Sequence, residues 1–311
     1  MRNYLGQNFL INKDKIKEIV DALELKNNDT VIEIGPGHGE LTEELRISAK
    51  GESASGGKND ELRIIAIEKD KLLAQELSKN FQFPIFPPER LMPFSRAGNF
   101  QSISNFQFQN NKTLIIGDAL KLLPQLTYNL RLTTNDYKLV GNIPYYITGH
   151  LLRIIGELEN KPELIVLTVQ KEVAERICAH SSKMNPTHRK CSMCGMNLLA
   201  ASVQFWAKPE IIDYISKKDF NPVPEVDSAI IKLTTNNQQP ITKEAGKYYK
   251  LIKILFKQPR KTIFNNLRLM TNDQQLIKVR LESLKINVID RPQNLSLEQV
   301  IQLSKIFSDI L

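Results

Sequence analysis

Cysteine is scarce: three in 311 residues, an odd number that argues against a disulfide framework and for a reducing compartment. No apolar run extends beyond a few residues, far short of the length a membrane helix needs. Residues 1–20 alternate polar and apolar and lack the apolar core of a secretory signal. A cytoplasmic location with no membrane partner is therefore expected. No internal repeat is found. What is present, 41% hydrophobic and 24% charged residues, is the balance of a folded globular chain. A chain of this length can bury a full core and hold two domains.

Acidic residues are short in one region. Between residues 237 and 311, 13 Lys and Arg face 6 Asp and Glu, which accounts for +7 of the net +8. The preceding 236 residues carry only +1. A near-neutral body with a basic tail suggests a polyanionic partner held partly by that tail. Past Pro240 the pattern is helical, near 243–257, 262–270, 274–285 and 296–310. The expected division is one domain over 1–236 and a small, basic, all-helical one over 237–311.

The first domain reads as α/β, a Rossmann-like sheet with helices on both faces. A helix capped by Asn12 and running to about Leu25 precedes a buried strand, Thr30–Ile34. A turn, Gly35-Pro36-Gly37-His38-Gly39, then opens a helix over about 40–46. The dinucleotide fingerprint is missing, because its third glycine would fall at position 40, which is Glu40. Glu33 would also repel a pyrophosphate. The turn suits a cationic or zwitterionic ligand without phosphate, and S-adenosylmethionine has those properties. The strand Leu62–Ile67 ends at Glu68 and Asp70; Glu68 is assigned to ribose hydroxyls and Asp70 to a helix cap. The strand Thr113–Ile116 ends at Asp118, either an acceptor for an adenine amino group or a turn residue.

The most informative stretch is Leu139–Thr148, LVGNIPYYIT. Its apolar start reads as a buried parallel strand, with Gly141 admitting a close ligand and Pro144 stiffening the turn. Asn142 then falls at the carboxyl end of a strand, where open α/β sheets bind ligands. An amide, backbone carbonyls and the ring of Tyr145 within four residues suit a flat heterocycle bearing an amino group. Further on, Phe220 lies in DFNPVPEVDSAIIKL, where two prolines preset the backbone. It reads either as a wall of the pocket or as a core residue. Three stretches stand apart: the glycine-rich 48–60, which reads as a flexible surface loop, the aperiodic 81–112 with seven of 13 phenylalanines, which is either functional or an insertion packed on the surface, and a surface insertion over 180–195. The last holds His180, His188, Cys191 and Cys194, but lacks the second ligand pair a zinc site uses, so no metal is expected.

Eight motifs in order resemble the KsgA-type ribosomal RNA adenine dimethyltransferases: GQNFL (6–10), EIGPGHGELT (33–42), IEKD (67–70), GDAL (117–120), GNIPYYIT (141–148), QKEVAERI (170–177), FNPVPEVDSA (220–229) and QPRKTIFNNL (258–267). The large-subunit resistance methylases share several of these; the QKEVAERI and QPRKTIFNNL matches favour the small-subunit enzymes. The resemblance implies S-adenosylmethionine as cofactor and dimethylation of the N6 amines of adjacent adenines near the 3′ end of small-subunit (16S) RNA. It further implies an immature small subunit as partner and a monomeric enzyme. Asn8 and Leu10 would line the methionine end, Gly35 would support the cofactor, and Glu68 and Asp118 would hold ribose and adenine. Asn142 would lie between cofactor and target, in reach of both, with Pro144 beside it in the catalytic turn, and Tyr145 and Phe220 would stack on the target's two faces.

Overall fold

Strands with no polar alternation must be covered on both faces, which requires helices on either side of a parallel sheet. A computed structural model, describing residues 6–49, 62–91, 111–130, 132–133, 137–180, 195–236, 243–271 and 273–311, has that architecture. Its strands are β1 (Phe9–Leu10), β2 (Thr30–Ile34), β3 (Arg63–Glu68), β4 (Ile85–Phe86), β5 (Lys112–Ile116), β6 (Tyr137–Asn142), β7 (Leu164–Gln170), β8 (Ala207–Ile215), β9 (Phe220–Asn221) and β10 (Ser228–Thr235). Eight of them form one sheet in the order β4-β5-β3-β2-β6-β7-β10-β8. The run from β4 to β7 is parallel, and β10 is antiparallel to β7. β1 and β9 form a separate antiparallel pair.

Helices α1 (Lys13–Asp21), α2 (Glu40–Ala49), α3 (Lys71–Phe81), α4 (Ala119–Asn129) and α5 (Thr148–Glu157) connect these strands. Asn12, Asp70 and Asp118 cap α1, α3 and α4 through their side-chain oxygens, so Asp70 plays the capping role expected of it. From β2 the chain crosses through α2 to β3 on one side, while β6 lies on the other. The carboxyl ends of β2 and β6 therefore meet at the switch of strand order, where a crevice opens.

The chain divides into two compact units, Met1–Lys171 with Glu210–Thr235, and Glu172–Pro209 with Asn236–Leu311. This departs from a single boundary at 236. The second unit contains α6 (Lys171–Ile177, apart from its first residue), α7 (Leu198–Gln204) and the later helices α8 (Lys243–Leu255), α9 (Ile263–Leu267), α10 (Gln274–Ser283) and α11 (Leu297–Ile306). Its core explains the departure: Ala200, Ala201 and Phe205 are buried in one cluster with Tyr248, Leu251 and Leu255. Phe205 stacks on Tyr248 at 3.9 Å between ring centroids, and the Tyr248 hydroxyl donates to the Ala201 carbonyl at 2.8 Å. The 81–112 stretch also departs in part from expectation, since β4 lies within it and pairs with β5; residues 92–110 lie outside the described residues.

Candidate active site

Each glycine of the turn after β2 has a separate task. Gly35 (φ +67°) donates its N–H to the Ile67 carbonyl at 2.9 Å and so bends the chain over β3. At Gly37 (φ +61°) a Cβ would come within 2.8 Å of the Phe9 ring, so the missing side chain admits the segment before β1. A Cβ at Gly39 would lie 2.3 Å from the Phe81 ring, which ties the start of α2 to the end of α3.

The end of β3 is fixed to this turn. Glu68 is 2% exposed; its Oε1 accepts from the Asp70 N–H at 2.8 Å and its Oε2 from the Gly37 N–H at 3.2 Å. Burial pushes its pKa up, and the backbone hydrogen bonds oppose that rise. Asp118 caps α4 through the Leu120 N–H at 3.0 Å, and its other oxygen receives the Lys69 ammonium at 3.1 Å. It does not line the cleft described below.

Asn142 is the last residue of β6. Its Nδ2 donates to the Asn8 carbonyl at 2.7 Å. A carbonyl oxygen can only accept, so this bond sets which way the amide is turned and leaves Oδ1 as an acceptor. Gly141 serves packing and not ligand approach: a Cβ there would stand 2.6 Å from the Ile34 carbonyl oxygen of β2. Beyond Asn142, the Ile143 N–H donates to the Thr168 carbonyl at 3.2 Å. Pro144 (φ −54°) opens a 3₁₀ turn, Tyr145–Ile147, and its carbonyl accepts from the Ile147 N–H at 3.0 Å. The Tyr145 hydroxyl is 2.8 Å from Ser228 Oγ at the start of β10, and burial raises its pKa.

A cleft open to solvent is lined by Gly6, Gln7, Asn8, Phe9, Gly35, Gly37, Asn142, Ile143, Pro144 and Tyr145. Of the residues singled out in the sequence, Asn8, Gly35, Asn142, Pro144 and Tyr145 meet there, and Glu68 reaches it through Gly37. Leu10 and Phe220 do not. They pair across β1 and β9, are 5% and 2% exposed, and belong to one apolar core cluster. Strand alternation explains the split, since Phe9 faces the cleft and its neighbour must face away. Phe9, Gln7, Gly37 and Ser228 are site residues that sequence reasoning did not assign. Alternation within GQNFL was the available signal for Phe9.

Behind the glycine turn lies a second carboxylate. Glu33 is fully buried; Oε2 accepts from the Thr42 hydroxyl at 2.7 Å, and Oε1 has no hydrogen-bond partner. Burial pushes its pKa from 4.5 to about 8, with Glu68 and Glu40 adding to the rise and the Thr42 hydroxyl opposing it. Among the described residues no cluster of three or more His, Cys, Asp or Glu side chains could hold a metal. His188, Cys191 and Cys194 lie outside the described residues. Among the described residues no helix is long and apolar enough to cross a membrane.

A doubly wound sheet with a glycine turn after its first parallel strand, a buried acid after the next and an amide at the switch point is the architecture of Rossmann-like methyltransferases. Comparison with known proteins narrows the class. The family of ribosomal RNA adenine dimethylases matches residues 1–309, and the chain belongs to that family. A ribosomal RNA small subunit methyltransferase A of Fusobacterium nucleatum is 31% identical over 97% of this chain and 96% of its own length. One of Dehalococcoides mccartyi is 32% identical over 99% of this chain and 89% of its own. The fold is shared with a dimethyladenosine transferase of Plasmodium falciparum (TM-score 0.69, 22% identity, 97% of this chain and 98% of that one). A 23S rRNA methyltransferase, ErmE, also shares it (TM-score 0.62, 20% identity, 97% of this chain and 100% of that one).

Proposed function

We propose that this protein is the small-subunit ribosomal RNA adenine dimethyltransferase of its cell, using S-adenosylmethionine to dimethylate the N6 amines of adjacent adenines near the 3′ end of 16S RNA. Family membership and relatives named for the small subunit support this reading over the large-subunit alternative. The observation that carries the chemistry is the Asn142 amide, held by the Asn8 carbonyl with its oxygen left to accept at the mouth of the cleft.

The residues present fit the cofactor. Among the described residues no Lys or Arg lines the cleft, and the buried Glu68 stands behind its glycine turn, while Glu33, held protonated up to about pH 8, adds no charge at neutral pH. That environment favours a cation and disfavours a phosphate. Gly35 and Asn8 would hold the cofactor along the cleft wall, Glu68 its ribose and Asp118 its adenine, the last after exchanging its bond to Lys69. Bound there, S-adenosylmethionine supplies an electrophilic methyl group on a sulfonium.

The protein's part is to make a poor nucleophile attack. The lone pair of the exocyclic amine is delocalised into the purine ring. In this reading, Asn142 Oδ1 and a carbonyl of Ile143 or Pro144 accept its N–H bonds, which favours a pyramidal nitrogen over the planar ground state. Pro144 fixes the turn that carries those acceptors. Tyr145, with its hydroxyl tied to Ser228, offers one ring face, a contact worth about 1–3 kcal/mol. Phe220 would supply the second face only once β1 and β9 yield it from the core. A base stacked in this way must be unpaired or flipped out. After one methylation a single N–H remains for one acceptor; after two, none remains, and release follows.

The basic helical region over 237–311 would bind RNA phosphates without reading sequence, the protein acting as a monomer on immature small subunits in the cytoplasm. The site is tested with Asn142→Ala. Its single-turnover methyl transfer should fall by about 100-fold or more, with cofactor affinity from calorimetry changed little. Transfer close to that of the unaltered protein would reject the assignment of Asn142.

A further inference from the structure

Two neighbouring tyrosines follow Pro144, and the structure gives them opposite environments. Tyr145 is half-buried on the cleft wall with its hydroxyl against Ser228. Tyr146, in the same 3₁₀ turn, is 64% exposed. Its place is nonetheless fixed: the ring lies over Gly6, where a Cβ would be 3.8 Å from Cδ1 and Cε1, and Gly6 itself lines the cleft. An exposed ring thus stands on the rim of the site with one side supported. Tyr128 is equally exposed, at 67%, but sits at the end of α4 and off the cleft lining.

The loop leading into β10 is also held in place. Phe220 and Asn221 pair with Leu10 and Phe9, the Lys217 N–H donates to Asp227 Oδ1 at 3.0 Å, and Ser228 meets Tyr145. In this loop Val223 is 60% exposed, and Lys217 and Lys218 stand beside the carboxylates of Asp219, Glu225 and Asp227, so the loop carries no surplus of positive charge. An exposed, supported aromatic face at the edge of a cleft lined by Asn142 and Tyr145 is the chemistry that takes a base of a single strand by stacking.

We propose that Tyr146 is the stacking seat for the nucleotide flanking the methylated adenine. The inference rests on the RNA-methylating reading given above and extends it. One base enters the cleft while its neighbour is held at the rim, so that the strand cannot re-stack behind the flipped base. Tyr146 acts on substrate affinity and register and leaves the cofactor alone.

The test uses the full-length protein and a short RNA hairpin ending like the small-subunit 3′ region, with 2-aminopurine beside the target adenine. Binding should quench the fluorescence. Tyr146→Ala should lose most of that quenching and raise KM for RNA by about 5- to 100-fold, with kcat and cofactor affinity within twofold. Tyr146→Phe and Tyr146→Trp should restore both, because the ring and not the hydroxyl is at work. If the unaltered protein methylates the hairpin and Tyr146→Ala matches it in quenching and KM, the inference about Tyr146 is overturned alone. If the unaltered protein methylates neither hairpin nor small subunits, the reading beneath it has failed.

Discussion

Asn142 shows how little a residue's identity says until its partner is known. An asparagine after a strand can turn either end of its amide toward a ligand; the Asn8 carbonyl decides, by taking the Nδ2 hydrogens. That partner lies far away in sequence, and no local pattern could name it. Glu33 is the second case. A carboxylate inside a strand of apolar residues reads as a barrier to phosphate, but its complete burial, invisible in the sequence, keeps it protonated at neutral pH and removes that charge. The folded protein holds this proton up to about pH 8, whereas the unfolded chain releases it near 4.5. Stability should therefore fall as pH rises through that window, because the folded state binds the extra proton. Glu33→Gln keeps the shape without the charge. Its melting temperature should exceed that of the unaltered protein by more at pH 8 than at pH 5, and an equal offset at the two pH values would show that Glu33 does not titrate there. Phe220 fell to the other side of its two readings, core in place of wall, because strand pairing with Leu10 buries it.

Elements were legible where one principle acted alone. The strand Thr30–Ile34 and the caps Asn12 and Asp70 were read directly, since apolar runs and short polar side chains each have one dominant use. Helix α4 was not, because Pro124 lies inside it and hides the signal, although Asp118 caps it and Leu122, Leu123 and Leu126 are buried along it. The amino end of β6 held another surprise. Lys138 is 3% exposed at its side chain, paired with Asp29 at 2.7 Å and donating to the Glu24 carbonyl at 2.6 Å. It ties β6 to the loop before β2, at the far end of those strands from the cleft. Lys138→Met would leave the partly exposed Asp29 carboxylate with the Lys26 N–H as a partner and should cost about 1–3 kcal/mol in denaturant unfolding. Since β6 carries Asn142, activity should decline in step with the folded fraction and not ahead of it.

At the scale of the whole molecule, charge and motif order carried the reading further than any single residue. The surplus of cations lies in residues 237–311, so RNA affinity should fall steeply with salt, by roughly 0.7 in log-log slope for each single-strand phosphate met. A flat response would remove that region from the RNA-binding surface. The boundary at 236 missed the assignment of 172–209 to the second unit because Phe205 and Tyr248 find each other across 43 residues of sequence, a pairing that composition does not record. The central claim is that this cleft methylates unpaired adenine in small-subunit RNA. The direct test is to incubate the protein with labelled S-adenosylmethionine and immature small subunits, mature subunits, large subunits or a free adenine nucleoside, then map the methylated bases. Two methyl groups on each of two neighbouring adenines near the 3′ end of the small-subunit RNA are predicted, and label confined to large-subunit RNA or to the free nucleoside would contradict the claim.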